Sequence, residues 1–164
     1  MRKVLVSMMA VCLAVVVLSG CATSEERAAQ KAEHARKVQA ALNQKDFKIS
    51  VDRMYPMRGS SKNVSYGYLV GVRNDSLFSH LPYFGRAFSV PYGGGKGLNF
   101  EERIGSYKEY QKKNGKRYIE IEVKNEEDSY LYTIEVFDDG KSSVDVQARQ
   151  RERISYSGEM EFDM

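Results

Sequence analysis

The stretch RYIEIEVKNEEDSYLYTIEVFDDGKSSVDVQA, residues 117–148, decides the fold. Ile119, Ile121 and Val123 alternate with Tyr118, Glu120 and Glu122. Successive side chains of a strand point to opposite sides of a sheet, so this period of two marks a half-buried strand. Tyr130, Tyr132, Ile134 and Val136 repeat the pattern, as do Val144, Val146 and Ala148. Asn125 to Asp128 and Asp138-Asp139-Gly140 separate the three runs with turn-forming residues. Connections this short make the strands antiparallel, because parallel neighbours need a crossover of about a dozen residues or more.

The pattern extends in both directions. Ile154-Ser155-Tyr156 suggests one more strand, and Tyr107 and Tyr110 lie on a strand ending at Asn114-Gly115, a two-residue type I′ hairpin signal. Further upstream, Val64, Tyr66, Tyr68, Val70 and Val72 alternate with small or polar neighbours. Asn74-Asp75 then turns the chain into Leu77 to Leu81. Phe47, Ile49 and Val51 form the earliest strand, followed by a polar loop over Pro56 to Lys62. About eight or nine strands result, a number at which a sheet curls, splits into a sandwich or closes on itself. Tyr92 to Gly97, dense in glycine, is expected to be a mobile loop.

Before the sheet, Thr23 to Asn43 reads as a helix rich in Ala, Glu, Lys, Gln and Arg, with a capping-box pattern at Thr23 and Glu26. Its apolar face is mostly alanine until Val38 and Leu42, so docking is expected there and at Ala41, with the first half acting as a spacer. A disordered tether is the alternative. The expected class is α+β: an N-terminal helix, then a curved, mostly antiparallel sheet, sandwich-like or a partly closed barrel. Residues 21–44 form the helical spacer and 45–164 a single β domain.

The first twenty residues read as an export signal. Arg2 and Lys3 supply the positive start, Val4 to Leu18 the apolar run, and Leu18-Ser19-Gly20-Cys21 a lipobox. The apolar run has about 15 residues, short of the roughly 20 that span a bilayer. Cys21 is thus the expected lipidation site and mature N-terminus, anchored to a membrane by several acyl chains. Ala22, where an Asp would favour inner-membrane retention, points to the outer membrane, facing the periplasm or the cell surface. Cys12 leaves with the signal, so the mature domain has no disulfide and no cysteine-based metal site. The full chain carries a net charge of +3, but losing Arg2 and Lys3 brings the mature protein close to neutrality. That is no footprint of a nucleic-acid binder.

Ser76-Leu77, Leu81-Pro82-Tyr83-Phe84-Gly85-Arg86-Ala87 and Val90-Pro91-Tyr92, with the closing Ile154-Ser155-Tyr156-Ser157-Gly158, resemble the domain of unknown function family 4251. These are exported bacterial lipoproteins with a central Y-F-G-R-A motif and an I-x-Y-x-G ending. The resemblance runs from about Ala41 to Gly158. It implies an exported α+β domain and brings no functional residues with it.

The chemistry-bearing residues are few. His34 lies among charged helix residues and reads as solvated, and His80 ends a strand without a visible catalytic partner. Gly93 to Gly97 lacks the Ser or Thr and the helix that a phosphate loop needs, so no nucleotide is expected. Asp138-Asp139-Gly140 lacks the alternating ligands of a calcium loop and reads as a hairpin turn. Glu126-Glu127-Asp128 reads as an exposed acidic turn, and Glu120 and Glu122 as the wet side of a strand. Arg86, flanked by Phe84 and Phe88 on one expected strand face, either ties a carboxylate within the fold or stacks and binds an anion. Tyr83, Phe84, Arg86, Phe88 and Tyr92 are therefore the candidate binding residues. No catalytic set, metal site or cofactor is expected. The expected role is a non-catalytic envelope binding or scaffolding module, with an envelope protein or glycan as partner. The alternatives are a small-ligand carrier with a lipocalin-like cavity and, behind it, an envelope hydrolase.

Overall fold

A computed structural model describes residues 24–89, 95–111 and 116–162. The signal segment, Cys21, Tyr92 and the Asn114-Gly115 turn lie outside the described residues. The chain divides into two compact units, one ending at Glu33 and the other running from His34 onward. Helix α1 (Ser24–Gln44) crosses this boundary, with Glu25 and Glu26 in its first turn, where carboxylates favour the helix dipole. No helix of the described residues is long and apolar enough to cross a membrane.

From His34 onward, the end of α1 leads into nine strands: β1 (Phe47–Pro56), β2 (Lys62–Asn63), β3 (Leu69–Arg73), β4 (Ser76–Leu81), β5 (Leu98–Gln111), β6 (Arg117–Lys124), β7 (Ser129–Val136), β8 (Lys141–Ala148) and β9 (Ile154–Glu161). Each strand from β3 to β9 pairs antiparallel with the next, and β1 pairs with both β3 and β9. The sheet therefore closes into an eight-stranded antiparallel barrel, with β2 as a short extra strand on β1. Closure leaves no long free edge to recruit another chain.

Alternation decides what the barrel encloses. In β6, β7 and β8 every second residue is buried, including Ile119, Ile121, Val123, Tyr132, Ile134, Val144 and Val146. Tyr132 and Tyr156 fill the middle at 0 % exposure, beside Leu77, Leu81, Leu98 and Ile154. A void wide enough for water would leave such side chains measurable surface, so the interior they line is packed with protein. The Tyr132 hydroxyl donates to Ser79 Oγ (3.0 Å), which donates to the Leu98 carbonyl (2.8 Å), so these buried polar groups are paired.

α1 closes one barrel end with Val38 and Leu42, both fully buried, while Ala41 packs beside them. His34 takes part as well. Its Nε2 lies 3.1 Å from the Asp139 carbonyl, and its ring meets Phe162 edge-on at 5.4 Å. The expectation of a merely solvated His34 is thus corrected, because Gly140 in the turn leaves room for an imidazole that a Cβ would press to 3.0 Å. Arg117 completes the joint, ion-paired with Glu109 and donating to Gln39 (2.8 Å) and Asn43 (2.9 Å).

Two further expectations need correction. The strand read over Val64 to Val72 is broken. Val51 N–H bonds to the Tyr68 carbonyl and Val64 N–H to the Asp52 carbonyl, so Ser65, Tyr66 and Gly67 are extruded between paired positions. Gly67, at φ +105°, makes the turn. The Glu126 to Asp128 turn is not wholly exposed either. Asp128 is buried, and its carboxylate accepts N–H bonds from Ser129 (2.7 Å), Arg149 (3.1 Å) and Gln150 (2.9 Å). An acidic side chain goes inside here because backbone donors at the barrel end need an acceptor.

Candidate functional site

The candidate residues gather at the barrel end opposite α1. Residues 82–89 cross it between β4 and the described start of the next segment at Gly95. The expected strand, with Phe84, Arg86 and Phe88 on a common face, does not form. The segment is an irregular strap with a single β-bridge, Ala87 to Arg151. Pro82 has no N–H to continue the ladder. The Tyr83 hydroxyl then reaches the carbonyls of Arg86 (2.9 Å) and Glu152 (3.0 Å), which folds the strap back on itself. Gly85 permits this, since a Cβ there would lie 2.7 Å from the Tyr83 hydroxyl. Burial, and then the nearby Glu152 carboxylate, raise the Tyr83 pKa above its ordinary value and keep the hydroxyl a donor.

The strap is tied to the β8–β9 turn along its main chain. Phe88 N–H bonds to the Gln150 carbonyl (2.7 Å), Glu152 N–H to the Arg86 carbonyl (2.9 Å), and Arg86 N–H to the Glu152 carboxylate (3.2 Å). The Tyr156 hydroxyl holds the Pro82 carbonyl at 2.7 Å from inside the barrel. Arg86 thus ties the fold through its backbone. Its side chain is exposed and has no ion pair among the described residues. Phe84 and Phe88 are exposed too, with Lys62 Nζ 3.5 Å above the Phe84 ring.

Beside the strap runs an open groove of about 700 Å³, lined by Met57, Arg58, Phe88, Gln147, Ala148, Arg151, Glu152 and Arg153. Met57 and Phe88 are each 68 % exposed. Arg58 pairs with Glu152 (3.3 Å) and Arg153 with Asp145 (2.7 Å). Arg151 is 9 % exposed, faces the Tyr83 ring at 5.6 Å, and meets Glu127 at 3.4 Å. Glu127 also accepts the Lys96 N–H at 2.8 Å, which fastens the start of the next segment. A second hollow of about 600 Å³ lies on the barrel wall beside Gly105, between Glu122–Lys124 and Ser129–Leu131, without comparably exposed apolar side chains.

The sequence singled out the strap but missed the arginines. Met57 and Arg58 sit in the polar loop read over Pro56 to Lys62, and Arg151 and Arg153 in the connection between Ala148 and Ile154, for which the sequence offered no reading. The available signal was the density of arginine over Arg149 to Arg153. The histidines stand elsewhere: His80 stacks on Tyr68 at 5.3 Å, and His34 docks the helix. Among the described residues no three His, Cys, Asp or Glu side chains are grouped to hold a metal. The rim presents a hydrogen-bonded strap backbone, exposed aromatic rings and guanidinium groups.

This arrangement of motif and barrel has a counterpart among protein families. A model of the domain of unknown function DUF4251 matches residues 29–160. The chain belongs to the DUF4251 family. A solved structure of a DUF4251 family protein from Bacteroides eggerthii shares the fold, with a TM-score of 0.62 at 17 % identity over 80 % of this chain and 89 % of that one. No curated protein matches the sequence. The DUF4251 match reaches beyond the Ala41 to Gly158 span on which the resemblance was read, taking in most of α1. It indicates no enzymatic family.

Proposed function

We propose that this protein is a lipid-anchored, non-catalytic binding module of the cell envelope that engages its partner through the rim carrying the Tyr83 to Phe88 strap. One observation carries the reading. The strap backbone is held by the Tyr83 hydroxyl and by Gln150 and Glu152, while Phe84, Arg86 and Phe88 face solvent. Fixing a loop costs conformational entropy, and rings left this exposed gain little from the fold in return. Rigid, exposed aromatic and arginine side chains suit a protein interface, where such residues dominate the binding energy. The packed interior argues for this reading over a carrier, which needs a cavity of at least about 300 Å³.

The test is photo-crosslinking in the native membrane. A crosslinking residue at position 84 or 88 should capture a discrete envelope partner. The same residue at exposed Lys108 on the barrel wall should not. Equal capture at all three positions, or none at 84 and 88, removes the rim from consideration. The anchor is tested separately: Cys21→Ser should abolish incorporation of a clickable fatty acid and release the protein from membranes.

A further inference from the structure

We propose that the groove beside the strap seats an acidic peptide segment of the partner, with an apolar side chain between Met57 and Phe88 and carboxylates on Arg58, Arg151 and Arg153. The proposal rests on the rim reading above and narrows it to a ligand class.

Arg151 is the starting point. Its side chain is nine-tenths buried, its Nε is enclosed without a hydrogen-bond partner, and its ion pair with Glu127 spans 3.4 Å. Charge-assisted bonds between guanidinium and carboxylate run at about 2.7–2.9 Å. A buried cation is costly unless well paired, so this charge is under-compensated where it lines the groove. Arg58 and Arg153 stand beside it with side chains 63 % and 60 % exposed, paired with the largely buried carboxylates of Glu152 and Asp145. Both guanidiniums reach solvent, so each can turn to a new carboxylate, and Glu152 then keeps the Arg86 N–H at 3.2 Å. Asp145 keeps a partner when Arg153 turns, because the Ser155 hydroxyl donates to it at 2.7 Å.

The mixture of charges selects a peptide. A phosphate-rich ligand brings acceptors only and would meet the carboxylates of Glu152 and Asp145. An acidic peptide brings carboxylates for the arginines and main-chain N–H donors for those two residues. Met57 and Phe88 then supply apolar contact for one side chain between the charges.

The experiment is fluorescence anisotropy with the purified full chain in detergent and two labelled six-residue peptides. One alternates glutamate with leucine, and the other alternates glutamine with leucine. The glutamate peptide should bind, should weaken as salt rises, and should lose about tenfold in affinity with the Arg58→Gln/Arg153→Gln double variant. Both substitutions are at exposed side chains, so the barrel should melt as the wild type does. Equal binding of the two peptides, or no effect of the double variant, overturns the acidic-peptide assignment. So does full displacement of the peptide by phosphatidylglycerol vesicles, which assigns the groove to a lipid surface. If the glutamate peptide fails to bind while crosslinking through position 88 still captures a partner, the ligand class is wrong and the rim stands. If both fail, both readings fall.

Discussion

Arg86 and Tyr83 divide the strap's work in a way that residue types alone do not reveal. An arginine between two aromatic residues suggests a structural tie, yet the ties run through the Arg86 main chain and the Tyr83 hydroxyl. Tyr83→Phe keeps the ring but removes the donor to two carbonyls, so it should cost about 1–2 kcal/mol and lower the melting temperature by several degrees. Arg86→Ala and Lys96→Ala remove exposed side chains and should stay within about 0.5 kcal/mol of wild type. A thermal melt in which Arg86→Ala falls as far as Tyr83→Phe would show that the guanidinium has a structural partner after all. Asp128 teaches the same lesson from the other side. A run of three acidic residues reads as solvated, and nothing local reveals that one of them will accept three backbone N–H groups, one from the start of β7 and two from the β8–β9 turn.

At the scale of elements, alternation was legible and closure was not. β1, β6, β7 and β8 follow apolar periods of two that can be read directly, and Asn74-Asp75 forms the expected turn with φ of +50° and +59°. Whether the sheet would curl, split or close depended on contacts between its first and last strands, which no local pattern encodes. Gly158 and Gly71 are the physical trace of closure. A Cβ on Gly158 would lie 2.0 Å from the Ser50 carbonyl oxygen, and one on Gly71 would lie 2.2 Å from that of Phe47. Both glycines admit the backbone of β1 from either side, and beside Gly158 the β1–β9 register shifts between Val51 and Arg53. Gly158→Ala must therefore push β1 and β9 apart. The expected result is a loss of more than about 3 kcal/mol, with faster amide exchange along the β1–β9 seam than along β6–β7. If Gly158→Ala melts like the wild type and exchanges uniformly, the barrel is not closed at that seam. The strand expected over Val64 to Val72 failed for a related reason. Its alternation is real, but the extruded Ser65-Tyr66-Gly67 interrupts it and leaves Tyr66 96 % exposed.

For the whole molecule, a tyrosine-rich, tightly packed interior sets a limit in alkali. Burial raises the pKa of Tyr132 and Tyr156 well above the ordinary value near 10, and both hydroxyls are hydrogen-bonded. In the unfolded chain the same groups ionise near pH 10. Below that pH both states hold the protons and the full stabilisation is present. Above it the unfolded chain binds fewer protons than the folded one, so stability falls as pH rises towards the folded pKa values. Each raised group removes about 1.4 kcal/mol per pH unit in that window, so two of them remove roughly 2–3 kcal/mol by pH 11. Tyrosinate absorbance followed together with far-ultraviolet circular dichroism should show two stages. In the first, absorbance rises reversibly with the sheet intact. A later rise should coincide with loss of the sheet signal, because Tyr132 and Tyr156 can ionise only as the barrel opens. If all eleven tyrosines titrated in one step near pH 10 while the sheet signal persisted, the interior would be wet, and the carrier would displace the binding module as the better reading.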